Sequence, residues 1–249
     1  MLIVEYHKIA KEEARWDRSI VRFQKDLERL YRMGFRPVSL SDYLDGKMDL
    51  ATGASPVVFT FDDSQISQFR MLPDGRIDPD CAVGIWRAFA EKHPDFPVKA
   101  TFFVLPPVPF GQRDELPKKL AYLKEWGCEL GSHTASHKIL AKLSDAEVKE
   151  ELGKAVEFIS GLGFPAPVIA LPFGISPKNA GLLASFEYQG KRYGHRAALL
   201  VGANPAPPPG GDNLNPMRLP RIQSIEGDYG LTFWLDKIEK GETRVYVQP

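Results

Sequence analysis

Apolar positions along the chain follow two alternating rhythms. Short unbroken runs, "LIVEY" at 2–6, "VVFTF" at 57–61 and "KATFFVL" at 99–105, have the composition of strands buried on both faces of a parallel sheet. Between such runs the apolar residues recur every three or four positions. Ile20, Phe23, Leu27, Leu30 and Tyr31 lead to a glycine stop at Gly34, and "RPVSL" follows as a second strand, which makes one β-α-β unit. "DPDCAVGIWRAFAEKH" and "LPKKLAYLKEWG" predict further helices, and "CELGSH" a strand. The clearest helix starts at a capping box, Ser144 with Glu147, and carries Val148, Leu152, Ala155, Val156 and Ile159 on one face before Gly161 and Gly163 close it. "PVIALPF", a short helix near "PKNAGLLAS", "HRAALLVG", helix "LTFWLDKIEKG" and strand "TRVYVQ" continue the alternation. Strands alternating with helices predict a parallel sheet, and at this length a closed or nearly closed barrel.

Two stretches break the rhythm. Residues 64–80 form an excursion with a Pro-Asp-Gly turn, and residues 202–216 are too rich in Pro and Gly for a regular element. Loops after barrel strands wall the mouth of a barrel, so both are expected to shape access to it.

Length and charge narrow the picture. A chain of 249 residues, 43% hydrophobic, suits one domain spanning 1–249. Lys+Arg and Asp+Glu both number 32, so bulk charge points to no nucleic-acid or anionic-membrane partner. No apolar run has transmembrane length, and the start "MLIVEYHKIAKEE" lacks the basic segment and apolar length of a signal peptide. Cys81 and Cys128 are too few for a disulfide framework.

The candidate chemistry lies at two predicted strand ends. Strand "VVFTF" ends in adjacent carboxylates, Asp62 and Asp63, which a buried strand tolerates only with a solvated turn or a compensating partner. "SHTASH" places His133 and His137 four residues apart after another strand. Alone, the aspartate pair suits a polar turn and the histidine pair ordinary surface or packed histidines. In a barrel, however, the C-terminal strand ends share one face, so the four residues meet. Two imidazoles and one carboxylate make a catalytic-type zinc set with one coordination position left for water, and the second aspartate is then free to act as a base.

"TFDDS", "SHTASH", "ALPFG" and "RLPRI", in that order and with the early "YHKI", resemble the polysaccharide deacetylases, the carbohydrate esterases of the chitooligosaccharide deacetylase homology type. The resemblance runs from about Leu2 to Ile222, and its specific part is the first two motifs. It implies a distorted (β/α) barrel of about seven parallel strands that hydrolyses the N- or O-acetyl group of a glycan with a divalent metal, usually zinc. By the same resemblance Asp62 is the general base, Asp63, His133 and His137 hold the metal, and a backbone N–H near Phe173 faces the oxyanion. It suggests a cell-envelope or secreted location.

The chain departs from this pattern three times. Ser64 replaces the usual glycine and adds a hydroxyl expected at the mouth. Ala170 stands where the third motif carries an arginine that pairs with the base. That loss predicts that Asp62 holds its proton to a higher pH, unless Arg218 or Arg221 substitutes. The late motif whose histidine is the general acid is missing, which leaves His195 as the candidate acid and His7 as the other histidine able to face the mouth. Phe69, Phe110 and Phe173 are candidate apolar faces for a sugar. Two other readings remain at this stage: a related barrel amidohydrolase acting on a small cyclic amide or imide, and a catalytically impaired carbohydrate-binding protein.

Overall fold

A computed structural model describes all residues, 1–249. Seven of the predicted runs and one segment not predicted as a strand, Ile222–Gln223, form one sheet: β1 (Leu2–Tyr6), β2 (Phe35–Pro37), β3 (Ser55–Phe61), β4 (Ala100–Val104), β5 (Glu129–Ser132), β6 (Val168–Ala170), β7 (Ala197–Leu199) and β8 (Ile222–Gln223). Their order is β7-β6-β5-β4-β3-β1-β8, with β2 on the start of β3, and every pairing is parallel. A single parallel bridge, Leu199 to Leu219, joins the β7 edge to the segment that becomes β8, so the sheet curls into a distorted barrel. Seven helices accompany it: α1 (Ile20–Arg32), α2 (Leu40–Asp45), α3 (Ala82–Ala90), α4 (Leu116–Glu125), α5 (Asp145–Gly161), α6 (Gly181–Ala184) and α7 (Leu231–Glu239).

Strand alternation sorts the apolar residues into two layers. Leu2, Val4 and Tyr6 of β1, with Val57, Phe59 and Phe61 of β3, face outward and pack with Phe23, Leu27 and Leu30 of α1 and Trp86 of α3. Ile3, Val58, Phe103, Val168, Ala197, Leu199 and Leu219 face inward, and Leu40 and Tyr43 of α2 join them. Further along the strands the inward positions turn polar. Glu5, Thr60 and Arg221 are buried, and Asp62 and His133 follow at the strand ends. The barrel is thus greasy at one end and charged at the other.

The capping box on α5 is present as predicted, with Glu147 N–H donating to the Ser144 hydroxyl and Ser144 N–H donating to the Glu147 carboxylate. Two boundaries differ from the sequence reading. "RPVSL" is a strand only to Pro37, because Ser39 accepts from Asp42 N–H and starts α2. "TRVYVQ" forms no sheet strand; Gln248 exchanges backbone hydrogen bonds with residues 53 and 54, and residues 222 and 223 take the place beside β1. No helix is long and apolar enough to cross a membrane.

Candidate active site

Three strand ends make sharp left-handed turns, which set Asp63, His137 and Phe173 around one cavity. Positive φ occurs at Asp63 (69°) and Ser64 (46°) after β3, at Thr134 (66°) and His137 (56°) after β5, and at Phe173 (59°) after β6. Such non-glycine conformations cost on the order of 1–3 kcal/mol each and persist where surrounding structure holds them. The cavity, about 290 Å³, is lined by His7, Trp16, Asp62, Asp63, His133, His137, Leu171, Phe173 and Val201. A larger groove of about 530 Å³ beside residues 49–54 lies at the opposite end of β2 and β3 and holds no histidine.

Asp63, His133 and His137 present one ligand atom each, mutually within 4.8 Å. From Asp63 Oδ1 the distances are 3.4 Å to His133 Nε2 and 3.6 Å to His137 Nε2. Ligand atoms each about 2.1 Å from a shared tetrahedral centre stand about 3.4 Å apart, so the two distances from Asp63 are compatible with one shared ion. His133 Nδ1 lies 2.9 Å from the Ala170 carbonyl oxygen. A carbonyl only accepts, so Nδ1 carries the proton and Nε2 offers its lone pair. That Nε2 is buried and has no hydrogen-bond partner, an arrangement expected of a metal ligand. Burial pushes the Asp63 carboxyl up, but His133 more than offsets this and holds it below the ordinary carboxylate range. Burial pulls His133 down, and the carboxylates of Asp62 and Asp63 overcome it.

Asp62 is buried, and Arg221 grips it at two points: Nη1 donates to Oδ1 and Nη2 to Oδ2, both at 2.7 Å. Arg221 Nε donates to the Leu200 carbonyl, and Nη1 also reaches the Thr60 hydroxyl. Burial alone would raise the Asp62 pKa, but the guanidinium reverses this and holds the carboxyl well below the usual range. The proton-retaining Asp62 expected from Ala170 is therefore corrected, because Arg221 restores the cation from the last strand. Gly202 makes room for it, since a Cβ there would overlap the Arg221 backbone carbonyl.

Other site expectations are corrected by position. His195 lies outside the cavity, just before β7. It is 3% exposed, its Nδ1 lies 3.0 Å from the Leu183 carbonyl, its ring stacks near Phe186, and burial pulls its pKa down to about 4. It is a packed histidine. His7 lines the cavity instead, its ring 4.8 Å from that of Trp16. The Ser64 hydroxyl does not face the mouth; it accepts from Leu105 N–H and so braces the turn after β4. Phe69 and Phe110 are fully buried, whereas Phe173 is 56% exposed with its ring edge-on to His137 at 5.0 Å.

The excursion at 64–80 is a brace rather than a wall. Gln68 Nε2 donates to the backbone carbonyls of His7 and Asp62, and the Ser67 hydroxyl accepts from Ile9 N–H, which ties the end of β1 to the end of β3. Residues 202–216 turn away from the mouth. Ala203 bridges Ile222 in antiparallel sense, Ala206 exchanges hydrogen bonds with Met1, and Pro207 accepts from Tyr43. Sequence reasoning missed Trp16, Glu5 and Val201, which belong to no recognisable motif. The alternation Ile3, Glu5, His7 was the one signal that placed Glu5 inside the barrel.

Solved structures share this architecture. The Streptococcus pyogenes deacetylase PplD in complex with acetate superposes with a TM-score of 0.69 at 19% identity, covering 95% of this chain and 96% of that one. BC0361, a polysaccharide deacetylase from Bacillus cereus, gives 0.67 at 17% identity over 95% and 68%. IcaB from Ammonifex degensii gives 0.62 at 18% over 94% and 95%. Identities this low establish the shared fold. No curated protein matches the sequence. The sequence profile of the family described as polysaccharide deacetylase matches residues 49–190, which span the carboxylate pair, the histidine pair and the turn at Phe173, and the chain belongs to that family.

Proposed function

We propose that the chain is a metal-dependent hydrolase that removes acetyl groups from an N- or O-acetylated sugar or polysaccharide. Asp63, His133 and His137 hold one divalent ion, by donor chemistry and spacing zinc, and Asp62 is the general base. The observation that carries this reading is Asp62, gripped at two points by Arg221, beside a three-residue ligand set that would leave a coordination position for water. A bound ion would supply Lewis-acid polarisation of the water and of the acetyl carbonyl.

The chain's own groups divide the remaining work. The ion pair to Arg221 uses one lone pair on each Asp62 oxygen and leaves the others to take a proton from the attacking water. The same clamp fixes the rotamer, so no reorientation is needed as the reaction begins. Phe173 offers an exposed ring face and its turn a backbone N–H for the developing oxyanion. His7, on the opposite side of the carboxylates from the histidine pair in sequence and lining the same cavity, delivers the proton to the departing nitrogen or oxygen. Leu171, Val201 and Trp16 exclude water from part of the cavity, whose modest volume admits a short part of a glycan.

Acetate release from a panel of N- and O-acetylated oligosaccharides, with zinc, after chelation and after zinc is returned, tests this reading. Release that chelation abolishes and zinc restores is expected. A zinc-loaded protein that releases acetate from none of them, or that instead opens a cyclic imide, contradicts it.

A further inference from the structure

Glu5 is a buried charge that the chemistry above does not use. It stands inside the barrel between Ile3 and His7, its side chain fully buried, in a layer where an apolar residue would pack at lower cost. Its Oε1 is 3.7 Å from His7 Nε2 and its Oε2 is 3.4 Å from Arg221 Nε. Arg221 is already committed, with Nη1 and Nη2 on Asp62 and Nε on the Leu200 carbonyl. No donor meets either Glu5 oxygen with full hydrogen-bond geometry, although the Gly202 amide approaches it. A buried carboxyl without a donor costs free energy unless a proton is held there. His7 Nε2 is the group placed to share one.

We propose that Glu5 is the positioning residue of His7, sharing one proton with its Nε2 so that the other ring nitrogen is turned to the cavity. The role given to His7 rests on the deacetylase reading; the Glu5–His7 pair itself does not. When His7 is protonated, Glu5 Oε1, 3.7 Å from its Nε2, is a carboxylate oxygen beside the ring that no other donor holds. When the C–N bond of the tetrahedral intermediate breaks, the departing nitrogen takes the Nδ1 proton of His7. The ring is left neutral, with Nε2–H against Glu5. The proton that Asp62 took from water is released to solvent as His7 regains one, which closes the count.

Burial shifts both groups. Burial pushes the Glu5 carboxyl up to about 7 against the pull of Arg221, and Asp62 adds to the rise while His133 opposes it. His7 is pulled below its ordinary value by burial, with Asp62 and Asp63 opposing and Arg221 and His133 reinforcing. A raised carboxyl beside a lowered imidazole favours one proton between the two groups over a fully charged pair.

The test is an NMR titration of the full chain, following imidazole nitrogens and side-chain carboxyl carbons, in wild type and Glu5→Gln. In wild type Glu5 and His7 move with a common midpoint, and in Glu5→Gln the His7 midpoint falls by at least about one pH unit. With an acetylated oligosaccharide, Glu5→Gln lowers kcat about 10²-fold with little change in KM, and Glu5→Asp recovers part of it. A His7 midpoint unmoved in Glu5→Gln overturns the proposal. Should Glu5→Gln not fold, the wild-type titration decides: a common midpoint supports the pair, and midpoints separated by more than about two units overturn it. Normal titration in a wild-type protein that turns over no acetylated sugar contradicts the deacetylase reading and leaves the pair standing.

Discussion

Asp62 and Arg221, 159 residues apart in sequence, close on each other in a fully buried two-point ion pair. One comes from the end of β3 and the other from the segment that leads into β8, so the pair fastens the first half of the barrel to the last strand. Ala170, at the family's arginine position, keeps only a backbone function, accepting from His133.

Arg221→Ala leaves an uncompensated carboxylate in the barrel and is expected to lower stability by about 3–5 kcal/mol. Arg221→Lys restores the charge without the planar fork and is expected to recover only part of that loss. Denaturant unfolding of the two variants checks this, and equal stability of all three proteins would contradict a clamp.

The pH dependence of this pair has a definite sign. Asp62 has a folded pKa below its ordinary value, so its contribution to stability is present above about pH 4, the unfolded range, and is lost as pH falls through the lower folded value. Melting curves from neutral to acidic pH should show the stability gap between wild type and Asp62→Asn narrowing only on the acid side. A gap that instead widens as pH falls would contradict the assignment.

Histidine roles separate by substitution. His7→Ala is expected to reduce kcat by about 10² to 10⁴ while folding normally. His195→Ala removes a ring packed near Phe186 and is expected to cost roughly 1–3 kcal/mol of stability while kcat per folded molecule stays unchanged. A large kcat loss in His195→Ala, with folding intact, would reverse the two roles.

Asp63→Ala takes the only carboxylate from the ligand set, and two neutral imidazoles coordinate zinc more weakly. Bound zinc measured after dialysis should fall from one equivalent to a small fraction. Retention of a full equivalent would place the ion elsewhere.

The barrel was legible because buried parallel strands leave unbroken apolar runs and α5 announces itself by a capping box. Asp62, Asp63, His133 and His137 were legible because two strand ends carried the right residue types at short spacing, and the fold brings them together. Arg221 was visible only as one of two possible arginines, since which strand end closes a barrel is a matter of long-range pairing that local pattern does not carry. His195 misled for the same reason: a histidine just before a strand start lies at the far end of the barrel from one just after a strand end. The loops at 64–80 and 202–216 misled because composition marks a loop as irregular without giving its direction. Trp16, in the turn between the short paired segments Lys8–Ala10 and Asp17–Ser19 that follow β1, had no motif to mark it.

The most direct test of the account is acetate release from N-acetylated oligosaccharides by wild type and by Asp62→Asn, each shown to carry one equivalent of zinc. The account predicts release by wild type and none above background from Asp62→Asn, since the base is removed while all three ligands remain. Equal rates from the two zinc-loaded proteins would contradict it.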